Sequence, residues 1–313
     1  MTFKAFGDSI STNTTSSGAS PAANSWIGLF TPQTAAVSGN GAGDMAKVIQ
    51  TSHTAEPSKK YAIMIGTNDA RHYKGDAQKQ GYFKRFLRSG IVWLTCPTLK
   101  KARTSGTAVY TGTWNNTGGN AFGRVTTQNG AKVTETFSGD TLYLGYIIQN
   151  STLADSTAEV RVDANLVGTV GCYMNGNTVG GNSFAGACER FSGLGAGSHT
   201  VEITVTSANG KYFYFDFVAG SDDINSAGVA LSNVIQYSPA GYTSFGITSA
   251  IIDQYNDIID DMIAELSADG LNIVLVDNHA SIVNTTDLAD TVHPNNAGHA
   301  KINANFSAVM ASL

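Results

Sequence analysis

Two periods of hydrophobic and polar residues alternate along this chain, and the change between them divides it into three stretches. In the first, residues 3–6 form a short apolar run that ends at Gly7-Asp8-Ser9. Residues 10–30 are rich in Ser, Thr and Asn and read as loop, with a short helix expected near Trp26. The apolar run 61–65 leads into Gly66-Thr67-Asn68-Asp69, the pattern of a buried strand entering a loop. Over 76–96, Phe83, Phe86, Leu87, Ile91 and Leu94 recur at helical spacing, and Pro97 ends the pattern. Taken alone, the run 91–94 fits a strand equally well.

Between about residues 104 and 220 the period becomes two. Segments 132–137, 159–163 and 201–205 alternate apolar with polar, 141–148 and 212–218 are further β-rich runs, and Gly-rich turns separate them. Short strands with no helical period between them predict a β-sandwich or jelly roll. Afterwards the helical period returns. Residues 229–237 read as a strand. Ile251, Ile252, Tyr255, Ile258, Ile259, Met262, Ile263 and Leu266 form one apolar stripe, with Gly270 where a C′ glycine belongs. A strand over 272–276 and a last helix carrying Ile302, Phe306, Val309 and Leu313 complete the chain. The expected organisation is a discontinuous α/β domain, 1–103 and 221–313, interrupted by an all-β domain at 104–220.

Length and composition narrow the functional classes. With 313 residues, two domains are expected. A net charge of −5 carries no basic footprint, so nucleic acid is not an expected partner. No apolar run reaches the roughly 18 residues of a membrane span, and no leader is visible, so a soluble chain without membrane insertion is expected. Cys96, Cys172 and Cys188 lack metal-ligand spacing. They read as buried thiols, with a Cys172–Cys188 bridge as the alternative, and no metal or cofactor is expected.

Three segments carry the chemistry. Gly7-Asp8-Ser9 and Gly66-Thr67-Asn68-Asp69 each follow a strand, and Asp290-Thr291-Val292-His293-Pro294 precedes the last helix. In a parallel sheet all three fall at the carboxyl edge, where such sheets place ligands. A serine needs an adjacent base, a histidine supplies one near neutral pH, and a carboxylate holds the imidazole tautomer. Singly, each residue has a plainer reading. Ser9 or Asp8 caps a helix, Asn68 makes a turn, and His293 is a surface loop residue.

Together with Ala36-Val37-Ser38-Gly39-Asn40, these blocks in this order resemble the SGNH (GDSL) hydrolase family. The resemblance implies a flavodoxin-like, three-layer α/β domain. It implies Ser9 as nucleophile, His293 as base and Asp290 as its carboxylate partner. It also implies an oxyanion hole built from the Ser9 and Gly39 amides and the Asn68 side chain, with Gly41 as the alternative glycine. Asp8 and Asp69 read as supporting residues, and Arg71 and His72 could line the cleft; no residue is assigned to substrate binding. The motifs of other hydrolases, G-x-S-x-G and H-E-x-x-H, are absent.

The β-rich insert resembles carbohydrate-binding jelly-roll modules, and the combination resembles deacetylating tail-spike or tail-fibre proteins of bacteriophages and also some bacterial carbohydrate esterases. That implies a serine esterase that removes O-acetyl groups from a bacterial surface polysaccharide, capsule or O-antigen, acting from a virion tail at the host cell surface. The acetylated polysaccharide is then the partner, and a homo-oligomer, a trimer in a tail spike, is implied. In the insert Trp114, Phe122, Tyr143, Tyr146 and Tyr173 either stack on sugars or fill the sandwich core. A lipid or aryl esterase and a non-catalytic glycan-binding adhesin are the alternative readings. The intact Ser9, Asn68, Asp290 and His293 weigh against the adhesin.

Overall fold

A computed structural model describes residues 3–12, 25–28, 30, 33–117, 123–208 and 210–313. Most of the loop expected at 10–30, and Phe122, lie outside the described residues. The chain divides into two compact units, Met1–Met45 with Glu56–Lys84 and Ser226–Leu313, and Ala46–Ala55 with Arg85–Asn225.

The first unit is built on a parallel sheet with, among the described residues, five strands: β1 (Phe3–Gly7), β2 (Gln33–Thr34), β3 (Lys60–Met64), β4 (Gly228–Ser232) and β5 (Asn272–Val276). Their spatial order is 2-1-3-4-5, the flavodoxin-like doubly wound order. Helices cover both faces. On one side Phe3, Ala5, Ala62, Met64, Ala230 and Val276 pack with Trp26 and with Ile302, Phe306 and Met310 of the last helix. Trp26 and Phe306 stack at 4.3 Å. On the other, the helix Ser249–Ala268 buries Ile252, Tyr255, Ile259, Met262 and Leu266, and Tyr255 meets Phe83 edge-on at 5.0 Å. This is the three-layer α/β architecture expected.

The helices, in chain order, are α1 (Ala42–Ser52), α2 (Thr67–Tyr73), α3 (Ala77–Thr95), α4 (Pro239–Phe245), α5 (Ser249–Ala268), α6 (Asn278–Ser281) and α7 (Asn296–Ser312). Residues 91–94 are helical, as continuations of the stripe that starts at Phe83. Helix α5 ends in a Schellman motif: Leu271 N–H reaches Leu266 O, Gly270 N–H reaches Ser267 O, and Gly270 has φ +97°.

One expectation needs correction. The strand expected at 229–237 stops at Ser232. Beyond it the Asn256 side chain takes both backbone groups of Val234, with its Oδ1 accepting from the amide at 2.8 Å and its Nδ2 donating to the carbonyl at 3.2 Å. Side-chain partners thus replace the strand ladder. Among the described residues around Trp26, the chain makes a turn closed by Phe30 N–H to Ile27 O, and most of the segment where a short helix is expected lies outside the described residues.

The second unit is a β-sandwich. One sheet runs, across its strands, Phe184–Phe191, Leu142–Gln149, Phe213–Gly220, Arg124–Thr126 and Asn115–Asn116, with Lys100–Lys101 also paired to Phe213–Gly220. The other runs Asn165–Gly171, Thr157–Val162, Ser198–Val205, Lys132–Ser138 and Val109–Thr111. All these pairings are antiparallel. Strand Thr157–Val162 buries alternate residues, which is why its sequence alternates. Strand Leu142–Gln149 is buried on both faces, and its sequence is a continuous apolar run. Helical turns explain the second covered face of that sheet. Trp93 meets Phe217 at 5.7 Å, Arg85 pairs with Glu189 at 2.6 Å, and Gln50 Nε2 donates to Asp216 at 3.3 Å.

Cys96, Cys172 and Cys188 are free and buried. Tyr143 and Tyr146 are buried at 0% and 2% exposure, so they belong to the core and not to a sugar platform. Trp114 and Tyr173 are half-buried. No helix among the described residues is long and apolar enough to cross a membrane.

Candidate active site

The strand order reverses at β1 and β3, and in doubly wound sheets ligands bind beyond the carboxyl ends of the strands at that point. Ser9 stands two residues past the end of β1. The intervening Asp8 caps the short turn Ser9–Ser11, its Oδ1 accepting from Ile10 N–H at 3.0 Å. Gly7 is required here, because a Cβ would lie 2.2 Å from the Met64 carbonyl of the neighbouring strand.

Ser9 Oγ lies 2.9 Å from His293 Nε2, although 284 residues separate them. On the far side of the ring, Nδ1 lies 2.7 Å from Asp290 Oδ2. A carboxylate can only accept, so Nδ1 carries the proton and Nε2 is left to accept from the serine hydroxyl. Asp290 Oδ1 meanwhile accepts from the amides of Val292 and His293 at 2.9 and 2.8 Å. Partial burial works against ionisation of Asp290. The two amides and the imidazole outweigh it and hold the carboxyl below its ordinary range.

The loop that carries Asp290 and His293 is fastened at several points. Ala289 N–H bonds His293 O, and Asn295 N–H bonds Asp287 O, each at 2.8 Å. The Asp287 carboxylate accepts from Val283 N–H at 2.7 Å and from Lys301 at 2.6 Å. Ahead of α4, Ser238 N–H donates to Thr291 O at 3.0 Å, and Gly241 of that helix approaches so closely that a Cβ would lie 2.5 Å from the same oxygen. Gly298 of α7 is packed in the same way, a Cβ there falling 2.4 Å from Asp287 O, so a glycine in the first turn of each helix is the sequence signal for these supports.

Gly39 sits at the third position of a turn closed by Asn40 N–H to Val37 O at 3.2 Å, with φ +82°. That backbone is the reason for glycine at this position. The amide of the alternative, Gly41, is engaged by Asp44 Oδ2 at 3.0 Å. Asn68 lies in the first turn of α2 rather than in a loop, after Gly66 at φ +116°. Its Nδ2 donates to Asn40 O at 3.0 Å. An amide nitrogen carries two hydrogens, so one donor remains for a ligand.

Asp69 ties the same two segments together from below. Both its oxygens accept from Ala42 N–H, at 3.1 and 3.0 Å, at the start of α1, where the helix dipole favours an anion. Burial nevertheless pushes the Asp69 carboxyl up to about 7, the Ala42 amide opposing and Asp44 and Asp8 adding to the rise. Burial likewise raises Asp8 to about 6, against the Ile10 amide and the charge of His293. His299 is buried one turn into α7, where its Nδ1 accepts from Trp26 N–H at 3.3 Å. Burial lowers its basicity to about 4, with His293 adding to the effect.

These groups form a serine–histidine–carboxylate chain beside a glycine turn and a side-chain amide. The geometry permits proton transfer from serine to imidazole and hydrogen bonding to an oxygen that gains negative charge.

No protein-family model matches the sequence, and no curated protein matches it. Solved structures similar to the chain include a lipolytic protein of the G-D-S-L family from Veillonella parvula DSM 2008, at 12% identity, with both chains covered in full and a TM-score of 0.46. A two-domain esterase active on acetylated mannans is similar over 70% of this chain and 90% of its own, at 10% identity and a TM-score of 0.38. A family 35 carbohydrate binding module from Clostridium thermocellum is similar over 39% of this chain and 95% of its own, at 14% identity and a TM-score of 0.30. The fold assignment rests on the strand order and sheet pairings described above, not on these likenesses.

Proposed function

We propose that the protein is a serine esterase that removes O-acetyl groups from a polysaccharide. Ser9 attacks the acetyl carbonyl while His293 takes the hydroxyl proton, and Asp290 stabilises the imidazolium that results. The amides of Ser9 and Gly39 and the free hydrogen of Asn68 Nδ2 receive the oxyanion. His293 returns its proton to the departing sugar oxygen. Water, deprotonated by the same imidazole, then cleaves the acetyl-enzyme and releases acetate. No redox step or added cofactor enters this sequence.

The observation that carries the reading is the unbroken chain from Ser9 through His293 to Asp290, at 2.9 and 2.7 Å. The β-sandwich unit supports a polymeric glycan as substrate, because it leaves Trp114 and Tyr173 partly accessible for sugar contact. A bacterial capsule or O-antigen as the glycan, and a place on a bacteriophage tail, rest on the sequence resemblance alone.

Acetate release across a panel of acetylated capsular, O-antigen and plant polysaccharides tests the proposal, with Ser9→Ala as control. Release from at least one polymer that depends on Ser9 is the expected result. Hydrolysis confined to long-chain lipid or aryl esters would favour a lipid or aryl esterase, and glycan binding without any ester cleavage would favour an adhesin.

A further inference from the structure

Arg71 lies three residues after Asn68 on α2, so the two side chains share one face of that helix. Its guanidinium carbon lies 5.1 Å from the centre of the Phe245 ring on α4. Helix α4 is the element held against the loop of His293, through Ser238 N–H to Thr291 O at 3.0 Å. Arg71 therefore spans from the helix of the oxyanion donor to the helix that supports the base.

The guanidinium is held but not neutralised. Its partners among the described residues are the Phe245 ring and His72 Nε2, 3.1 Å from its terminal nitrogen. Neither is an anion, and a guanidinium carries five N–H donors, so donors remain for a ligand. The charge is felt at the reacting end of the site, where it favours the ionised forms of Asp8 and Tyr237 against the burial that disfavours both. A chain of net charge −5 thus keeps, on the helix that carries Asn68, a cation with no ion-pair partner among the described residues.

We propose that Arg71 is a specificity-determining residue that selects acidic polysaccharides, its guanidinium taking the carboxylate of a uronic acid unit next to the acetylated sugar. A planar fork matches a carboxylate with two parallel hydrogen bonds, which a neutral sugar hydroxyl cannot reproduce. The inference rests on the esterase reading given above.

The test compares initial rates on an O-acetylated polyuronate and an O-acetylated neutral glucomannan, for the native protein, Arg71→Gln and Arg71→Lys. The native protein is expected to prefer the polyuronate, and the preference to shrink with added salt. Arg71→Gln is expected to lower the polyuronate-to-glucomannan ratio of kcat/KM by about 10–100-fold, mainly through KM, the range for one charge-assisted contact. Arg71→Lys is expected to restore part of it. An unchanged ratio in Arg71→Gln overturns the inference, even if both rates fall. If the native protein releases acetate from neither polymer, the esterase reading fails instead. Calorimetric binding of a uronate oligosaccharide to Ser9→Ala, with and without Arg71→Gln, then decides the inference by itself. Equal binding overturns it, and weaker binding without the arginine upholds it.

Discussion

Asn68 Nδ2 donates to the carbonyl of Asn40 at 3.0 Å, so the one side-chain donor of the proposed oxyanion hole is aimed by the turn that holds the glycine donor. The two donors are thereby positioned as a unit before any substrate arrives. Preorganisation of this kind is the main source of oxyanion stabilisation.

Replacing Asn68 with Ala should lower kcat by about 10²–10³-fold, as loss of one such donor does. KM should change little, because the donor acts mainly in the transition state. Steady-state kinetics on an acetyl ester check this. A change confined to KM would make Asn68 a binding residue.

Ser9→Ala should abolish hydrolysis of p-nitrophenyl acetate while the circular dichroism spectrum and melting temperature stay close to native. Ser9 is only partly buried and replaces no core contact, so the fold should tolerate the change. Retained activity in the folded variant would show that another group is the nucleophile.

Gly241→Ala should impair catalysis through the loop it touches. The added methyl would fall 2.5 Å from Thr291 O, between Asp290 and His293 in the chain. Misplacing a catalytic group by about 1 Å can cost roughly 10²-fold in rate, so kcat should drop by about one to two orders of magnitude. Undiminished kcat would mean that the loop absorbs the methyl elsewhere.

Asp69 gives a pH prediction whose sign follows from linkage. Its carboxyl is raised from 3.8 to about 7 in the folded chain. Between those values the folded state holds a proton that the unfolded state has lost, so its contribution to stability falls as pH rises. Asp69→Asn removes this titration and keeps an oxygen to accept from Ala42. The stability of Asp69→Asn relative to native should therefore increase from about pH 4 to about pH 7, by up to about 1.4 kcal/mol per pH unit, and level off above. Urea denaturation at several pH values measures it, and a difference independent of pH would refute it.

Excision of residues 104–220 should not leave a well-folded remainder. The segment contains Phe217, Glu189 and Asp216, which cover Trp93, Arg85 and Gln50. Removing it would expose a large aromatic surface and strand several polar groups. Solubility and thermal melting of such a chain are the readouts, and a cooperative melt near the native temperature would argue for an independent α/β core.

The patterns legible in the sequence were those that depend on neighbours in the chain. A period of two identified Thr157–Val162 as a strand, and a period near 3.6 identified Ser249–Ala268 as a helix, because side-chain direction repeats locally. The spacing of Asp290 and His293 was legible for the same reason, since three residues suffice to bring their side chains to 2.7 Å. The tertiary structure alone decided what required distant segments to meet. It brought Ser9 within 2.9 Å of a ring 284 residues away, ended the fourth strand at Ser232 by giving Val234 to Asn256, and set helical turns from the first 100 residues against the sandwich sheet. Such contacts leave no local period, because their partners are chosen by packing and by satisfying buried polar groups across the sheet, not by the direction in which one residue follows another.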